Sequence, residues 1–188
     1  MKFGKKTAHS GAKRSLVLVV SVLVLLLAVA GGTLAWLTAQ DSVANTFTPA
    51  HVSCEVTENF DGTTKSNVNV ENTSNIPAYI RVKLVTYRVN AQNQHIGGTA
   101  TIPDFTPGTN WVEHDGYYYY TLPVAASGTP AADLISSISL TGSYNDADGG
   151  KQVIEVMAEA IQSSPTEAVG TAWGVTISEG SVTAYSGS

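Results

Sequence analysis

The residue types that most often do chemistry are few in this chain and poorly placed to cooperate. It carries four histidines, His9, His51, His95 and His114, and one cysteine, Cys54. No two histidines stand at a metal-ligand spacing and His-Glu-x-x-His is absent, which excludes a zincin site. There is no Gly-x-Ser-x-Gly elbow and no glycine loop to cradle a phosphate. Cys54 follows His51 by three positions, and on a strand that spacing sends the two side chains to opposite faces, against a local thiolate–imidazole pair. Val52, Cys54 and Val56 instead form an every-second-residue apolar row, so the thiol reads as a structural one. A lone cysteine also excludes an internal disulfide framework. Tyr117, Tyr118, Tyr119 and Tyr120 form the one candidate binding surface, an aromatic platform, although a two-residue period turns two of the four rings toward a core. The expectation is a protein with no catalytic residue, no metal and no cofactor, and not an enzyme.

The elements that would position these residues read as strands. The chain after its first 35 residues is rich in Thr, Ser, Val, Gly and Asn, with two-residue periods broken by turn signals. Asn45–Phe47 and Val52–Val56 read as an early strand interrupted near Pro49. Asp61-Gly62 marks a hairpin turn before the alternation Asn67–Glu71. The longest pattern is Ile76–Val89, with Ile76, Ala78, Ile80, Val82 and Leu84 on one face and Tyr79, Arg81, Lys83 and Tyr87 on the other. Asn90–Asn110 reads as loop, Trp111–Tyr120 as a hairpin turning at Asp115-Gly116, and Ser136–Leu140 and Gln152–Ile161 as strands. Glu155 and Glu159 are expected to face Arg81 and Lys83 across adjacent strands. Asp146-Ala147-Asp148-Gly149 has alternate carboxylates like a piece of a calcium loop, but it lacks a third ligand and a distal Glu, so turn chemistry accounts for it. Ser164-Pro165-Thr166-Glu167 has capping-box spacing with Pro at the first helical position, and Gly174 is a stop, which predicts one short helix over Pro165–Trp173. A last strand is placed at Val175–Ile177, and residues 181–188 are expected to be a flexible tail. Seven or so short strands predict an all-β, antiparallel β-sandwich with one short helix, of jelly-roll type.

Charge is divided along the chain. Lys2, Lys5, Lys6, Lys13 and Arg14 precede any acid, and from Trp36 onward five basic residues face all 15 acidic ones, a net charge of −10. A surface that acidic repels phosphate backbones, so no nucleic-acid partner is expected. After Arg14, Leu16–Ala30 has Ser21 as its only polar residue. A basic start, an apolar core of this length and a small-residue exit are the parts of a secretory signal helix. Thr33 and Ala35 place cleavage between Ala35 and Trp36, with Ala28-Val29-Ala30 offering a second site. The rival is an uncleaved anchor, since no charge lies between Arg14 and Asp41. Leu122-Pro123-Val124 is an internal near-miss to a wall-sorting motif. The expected organisation is a signal peptide over 1–35, an N-terminal arm over 36–47, a β-sandwich over 48–180 and a tail.

Three stretches carry a resemblance. They are Gly31–Thr38 through Asn45-Thr46-Phe47; Asn72–Val82; and Ile154–Gln162 with Ala172-Trp173-Gly174 beyond. In this order they resemble the TasA/camelysin (CalY) group of exported bacterial proteins, whose signals are processed by a SipW-type signal peptidase. The resemblance implies a jelly-roll-like sandwich that serves as a secreted or cell-surface fibre or biofilm-matrix subunit. It implies self-association in which the freed segment of one subunit completes the sheet of its neighbour, with membrane contact only through the uncleaved signal. Carried onto this chain, that assembly arm is Trp36–Phe47, with Trp36, Leu37, Val43 and Phe47 as its apolar residues. An extended apolar-alternating segment can pair with an open sheet edge. Some members have been called metallopeptidases, and no motif here supports that activity. The alternative expectation is a monomeric surface adhesion or binding module built on Tyr117–Tyr120.

Overall fold

The computed structural model describes residues 20–22 and 50–187. The chain divides into two compact units, Met1–Thr48 and Pro49–Ser188. In the first, Val20–Val22 are helical; the expected signal, its cleavage point at Thr33, Ala35 and Trp36, and the arm residues Trp36, Leu37, Val43 and Phe47 lie outside the described residues. Everything below concerns the second unit.

The second unit is all-β and antiparallel, with one short helix. Its elements are β1 (Cys54–Phe60), β2 (Thr64–Asn72), β3 (Ala78–Val89), β4 (His95–Ile96), β5 (Trp111–His114), β6 (Tyr117–Val124), β7 (Ile135–Ser139), β8 (Lys151–Gln162), α1 (Glu167–Trp173), β9 (Val175–Ser178) and β10 (Ser181–Ala184). One sheet runs β1-β2-β7; a second runs β4-β3-β6-β5 with β8 on the other side of β3; β9 and β10 form a two-stranded ribbon. The two larger sheets share one core: Val68 and Val70 of β2 and Ile135 and Ile138 of β7 meet Ile80, Val82 and Leu84 of β3, with Trp111, Tyr120 and Ile154.

Local chemistry sets the turns. The Asp61 carboxylate accepts from the backbone of Thr63 and Thr64 at 2.9 and 2.7 Å, closing the β1–β2 hairpin where Gly62 takes a φ of 101°. Asp115 and Gly116, with φ of 50° and 78°, make the two-residue turn from β5 to β6. β3 begins one residue past Pro77, which has no N–H to offer a ladder.

Four differences from the sequence pattern have physical causes. β1 runs on to Phe60 because it pairs with β2 as far as Lys65. In β2 the alternation changes phase: Lys65 is buried ahead of Asn67, yet Val68 and Val70 are buried behind it. Asn67 has φ 52°, and three β2 steps oppose two β1 steps there, so a bulge flips the strand's faces. The helix starts at Glu167, and Thr166 makes no side-chain cap bond. Its first turn is closed instead by the N–H groups of Ala168 and Val169 donating to the carbonyls of Pro165 and Thr166. Finally, the segment expected to be a tail from 181 opens with β10, which pairs with β9 over Ser181–Ala184.

Candidate functional site

The tyrosine run is taken up by packing. Tyr118 and Tyr120 face the shared core, where the Tyr120 ring is tilted against Trp111 and the Tyr118 ring against Phe105, at centroid distances of 5.3 Å each. Tyr117 and Tyr119 face the opposite way and are covered by α1, β9 and β10, with Tyr119 against Trp173, Val169, Val175 and Val182. Tyr119 and Tyr120 are buried and the other two are half-buried. The platform expected from sequence is therefore absent as an open surface, because the C-terminal elements cap the face it would have presented. Arg81 completes that cap: its guanidinium lies 4.2 Å from the Tyr117 ring and 4.7 Å from Trp173, and it donates to Glu159 at 2.7 and 3.0 Å. Burial works to lower the Arg81 pKa, but the Glu159 carboxylate and the Tyr119 hydroxyl together outweigh it and the net shift is upward.

The acidic turn holds a cation that belongs to the chain. Arg88 Nη1 donates to both oxygens of Asp146 at 2.8 and 2.6 Å, and Nε donates to the Thr99 carbonyl at 2.9 Å. The Tyr144 ring lies 3.6 Å from the guanidinium carbon. Asp146 Oδ1 also accepts from the N–H groups of Asp148 and Gly149. Arg88, followed by those backbone amides, holds the Asp146 pKa below the ordinary carboxylate range. Among the described residues, no group of three or more His, Cys, Asp or Glu side chains could hold a metal ion. The histidines stand apart: His95 lies against Tyr87 and His114 is 3.6 Å from Asp115. Cys54 is half-buried against the shared core, and burial, then the Glu159 charge, raises its pKa. A thiol held protonated is a poor nucleophile.

What the sequence pattern did not locate is an edge. Among the described residues β8 pairs only with β3, along all twelve of its residues from Lys151↔Val89 to Gln162↔Ala78. It contains no proline, glycine or register shift to protect that edge, although Lys151, Glu155 and Glu159 lie along it and the Gln152 N–H already donates to the Thr141 carbonyl at 2.8 Å. Its inward row is closed at one end and open at the other: Gln152 and Ile154 are buried, while Val156, Ala158 and Ala160 are only half-buried. The β3 residues opposite them, Leu84, Val82 and Ile80, are buried. Across from that row the β1-β2-β7 sheet ends at β1, which packs against β8. Past the C-terminal end of β8 the gap widens into an apolar groove of about 530 Å³, lined by Val52, Ala160, Ile161, Pro165, Ala168 and Ala172 among others. The register also corrects one expected pairing. Glu159 does oppose Arg81, but Met157 opposes Lys83 and Glu155 opposes Val85.

Comparison with protein-family models, curated proteins and solved structures gives no match to this chain.

Proposed function

We propose that this chain is an exported structural subunit of an extracellular surface or biofilm-matrix fibre. After cleavage near Ala35, the segment Trp36–Phe47 of one subunit pairs with the open β8 edge of the next. The observation that carries the reading is the β8 edge beyond Gln152, free of proline, glycine and bulges and backed by a half-covered apolar row and an apolar groove. A paired strand supplies main-chain hydrogen bonds along β8, while its alternate side chains cover Val156, Ala158 and Ala160. The jelly-roll arrangement, processing by a SipW-type signal peptidase, and membrane contact only through the uncleaved signal belong to the same proposal. The alternative, a monomeric binding module on Tyr117–Tyr120, has less support because those rings are packed on both sides.

Electron microscopy of the exported chain tests this. Fibres are expected from the chain that keeps Trp36–Phe47 and none from a chain lacking it. A synthetic peptide of that sequence, added in excess, should occupy the edge and stop growth. A chain that stays monomeric at high concentration, with the segment intact and after seeding, would overturn the proposal.

A further inference from the structure

The outer face of the five-stranded sheet is only partly covered. α1, β9 and β10 lie on the half that carries Tyr79, Tyr117, Tyr119 and Ile161. On the other half, Lys83, Glu155 and Met157 are exposed, Met157 by 53%, and Val85, Tyr87 and Val153 are half-buried. Its charges are left unpaired. Of the five basic residues after Trp36, Lys65, Arg81 and Arg88 are paired with Glu58, Glu159 and Asp146, and Lys83 and Lys151 are in no ion pair among the described residues. Lys83 has no carboxylate partner among the described residues; its Nζ sits over the Tyr117 ring at 5.1 Å. Glu155 likewise has no ion-pair or hydrogen-bond partner there.

The register arranges these groups as a parallelogram. Lys83 stands opposite Met157, and Val85 opposite Glu155, so the two charges occupy one diagonal and the two apolar side chains the other. Strands about 4.8 Å apart with about 6.8 Å between alternate residues set its sides. A two-fold axis laid parallel to the sheet over the Val85–Met157 diagonal keeps both apolar residues over the axis and brings each end of the charged diagonal to within about 3 Å of the other's place. Each Lys83 then faces the second copy's Glu155, and Met157 faces its own counterpart. Such a contact is isologous and closes on itself, with strands of the two copies crossing at roughly 70°, near the orthogonal class of sheet packing. From these positions we propose that this half-face is the docking surface for a second copy of the chain, joined by reciprocal Lys83–Glu155 pairs around a Met157–Met157 centre. The contact uses the face of the sheet and does not depend on strand exchange along the β8 edge.

Thiol crosslinking tests it on the full chain carrying Cys54→Ser. With Met157→Cys added, a bifunctional thiol crosslinker of about 10 Å reach should yield a covalent dimer, because packed sheets stand about 10 Å apart, too far for a direct disulfide. Val153→Cys, off the axis on the same strand, should not. In the Met157→Cys chain, Lys83→Glu or Glu155→Lys alone should lower dimer yield about tenfold, since each change places like charges in both symmetry-related pairs. The double exchange Lys83→Glu/Glu155→Lys should restore the yield. Equal trapping at positions 153 and 157, no trapping at 157, or a double exchange no better than the singles would overturn the proposal. Repeating the trapping without Trp36–Phe47 separates it from the fibre reading: trapping persists there even though strand exchange is impossible.

Discussion

Arg88 and Asn72 show how single polar side chains fix loops that a hydrophobic pattern leaves undetermined. Arg88 lies on the core-facing row of β3, only 5% exposed, where the row runs out of apolar partners. A buried guanidinium has to be paired, and Asp146, Tyr144 and the Thr99 carbonyl draw two loops over it. Asp61 is likewise held below its ordinary range, first by the Thr63 backbone N–H and then by that of Thr64. Both carboxylates are favoured in the folded state as anions. Their stabilisation is present in full above the ordinary carboxylate range and is lost as pH falls through their lowered values. Thermal melts on descending pH should therefore show a falling acid limb. Asp146→Asn should lower the Tm near neutral pH and make that limb shallower; an unchanged limb would show that the pair does not contribute. Asn72 is fully buried, and its amide nitrogen donates to the carbonyls of Ile76, Val124 and Ala125 at 3.0 Å each, while its oxygen accepts from the Ser74 N–H. Asn72→Ala strands the Ile76 carbonyl ahead of β3 and the carbonyls at the end of β6, and a loss of about 3 kcal/mol is expected by denaturant titration.

At the level of elements, the long strands were legible because their alternation was uninterrupted. β3, the β5–β6 hairpin and β8 stand where the apolar rows and the Asp115-Gly116 turn put them. β2 was harder, because one left-handed residue at Asn67 reverses which side faces the core and no apolar row reveals it. β10 was missed for a related reason. Ser181-Val182-Thr183-Ala184 is nearly polar, and it holds its place by pairing with β9 and by burying Val182 in the smaller cluster. The open edge of β8 could not be read at all, since pairing is a property of neighbours and not of the strand's own residues. The C-terminal elements are locked by a contact that is testable. Gly170 lies inside α1, and a Cβ built there would come within 2.5 Å of the Tyr185 ring. Helix propensity alone favours alanine over glycine by about 0.5–1 kcal/mol. Gly170→Ala is nonetheless expected to destabilise, because the ring must leave. In a Tyr185→Gly background the same change should become neutral or stabilising, and a double-mutant cycle would read the coupling. Additive effects would show that the ring does not press on Gly170.

For the whole molecule, charge and the proposed assembly oppose each other. From Trp36 onward the chain carries −10, with all but five of its charged groups acidic. Subunits stacked in a fibre repel one another through that charge, while strand pairing and apolar burial act only at contact. Repulsion among exposed charges is screened over about 10 Å at 0.1 M salt and about 3 Å at 1 M. If strand complementation drives growth, elongation should speed up as salt is raised, because the barrier is electrostatic and the contact is not. Seeded growth followed by light scattering at low and high salt measures this directly. A rate that falls with salt would mean that ion pairs, not strand pairing, carry the contact between subunits. The two processes can be told apart in one series, because the Lys83–Glu155 pairs proposed for face-to-face docking weaken under the screening that hastens elongation. Raising salt should therefore lower the yield of Met157→Cys crosslinked dimers while fibre growth accelerates. A parallel rise in both would place the two contacts on one surface and count against the separation of edge from face.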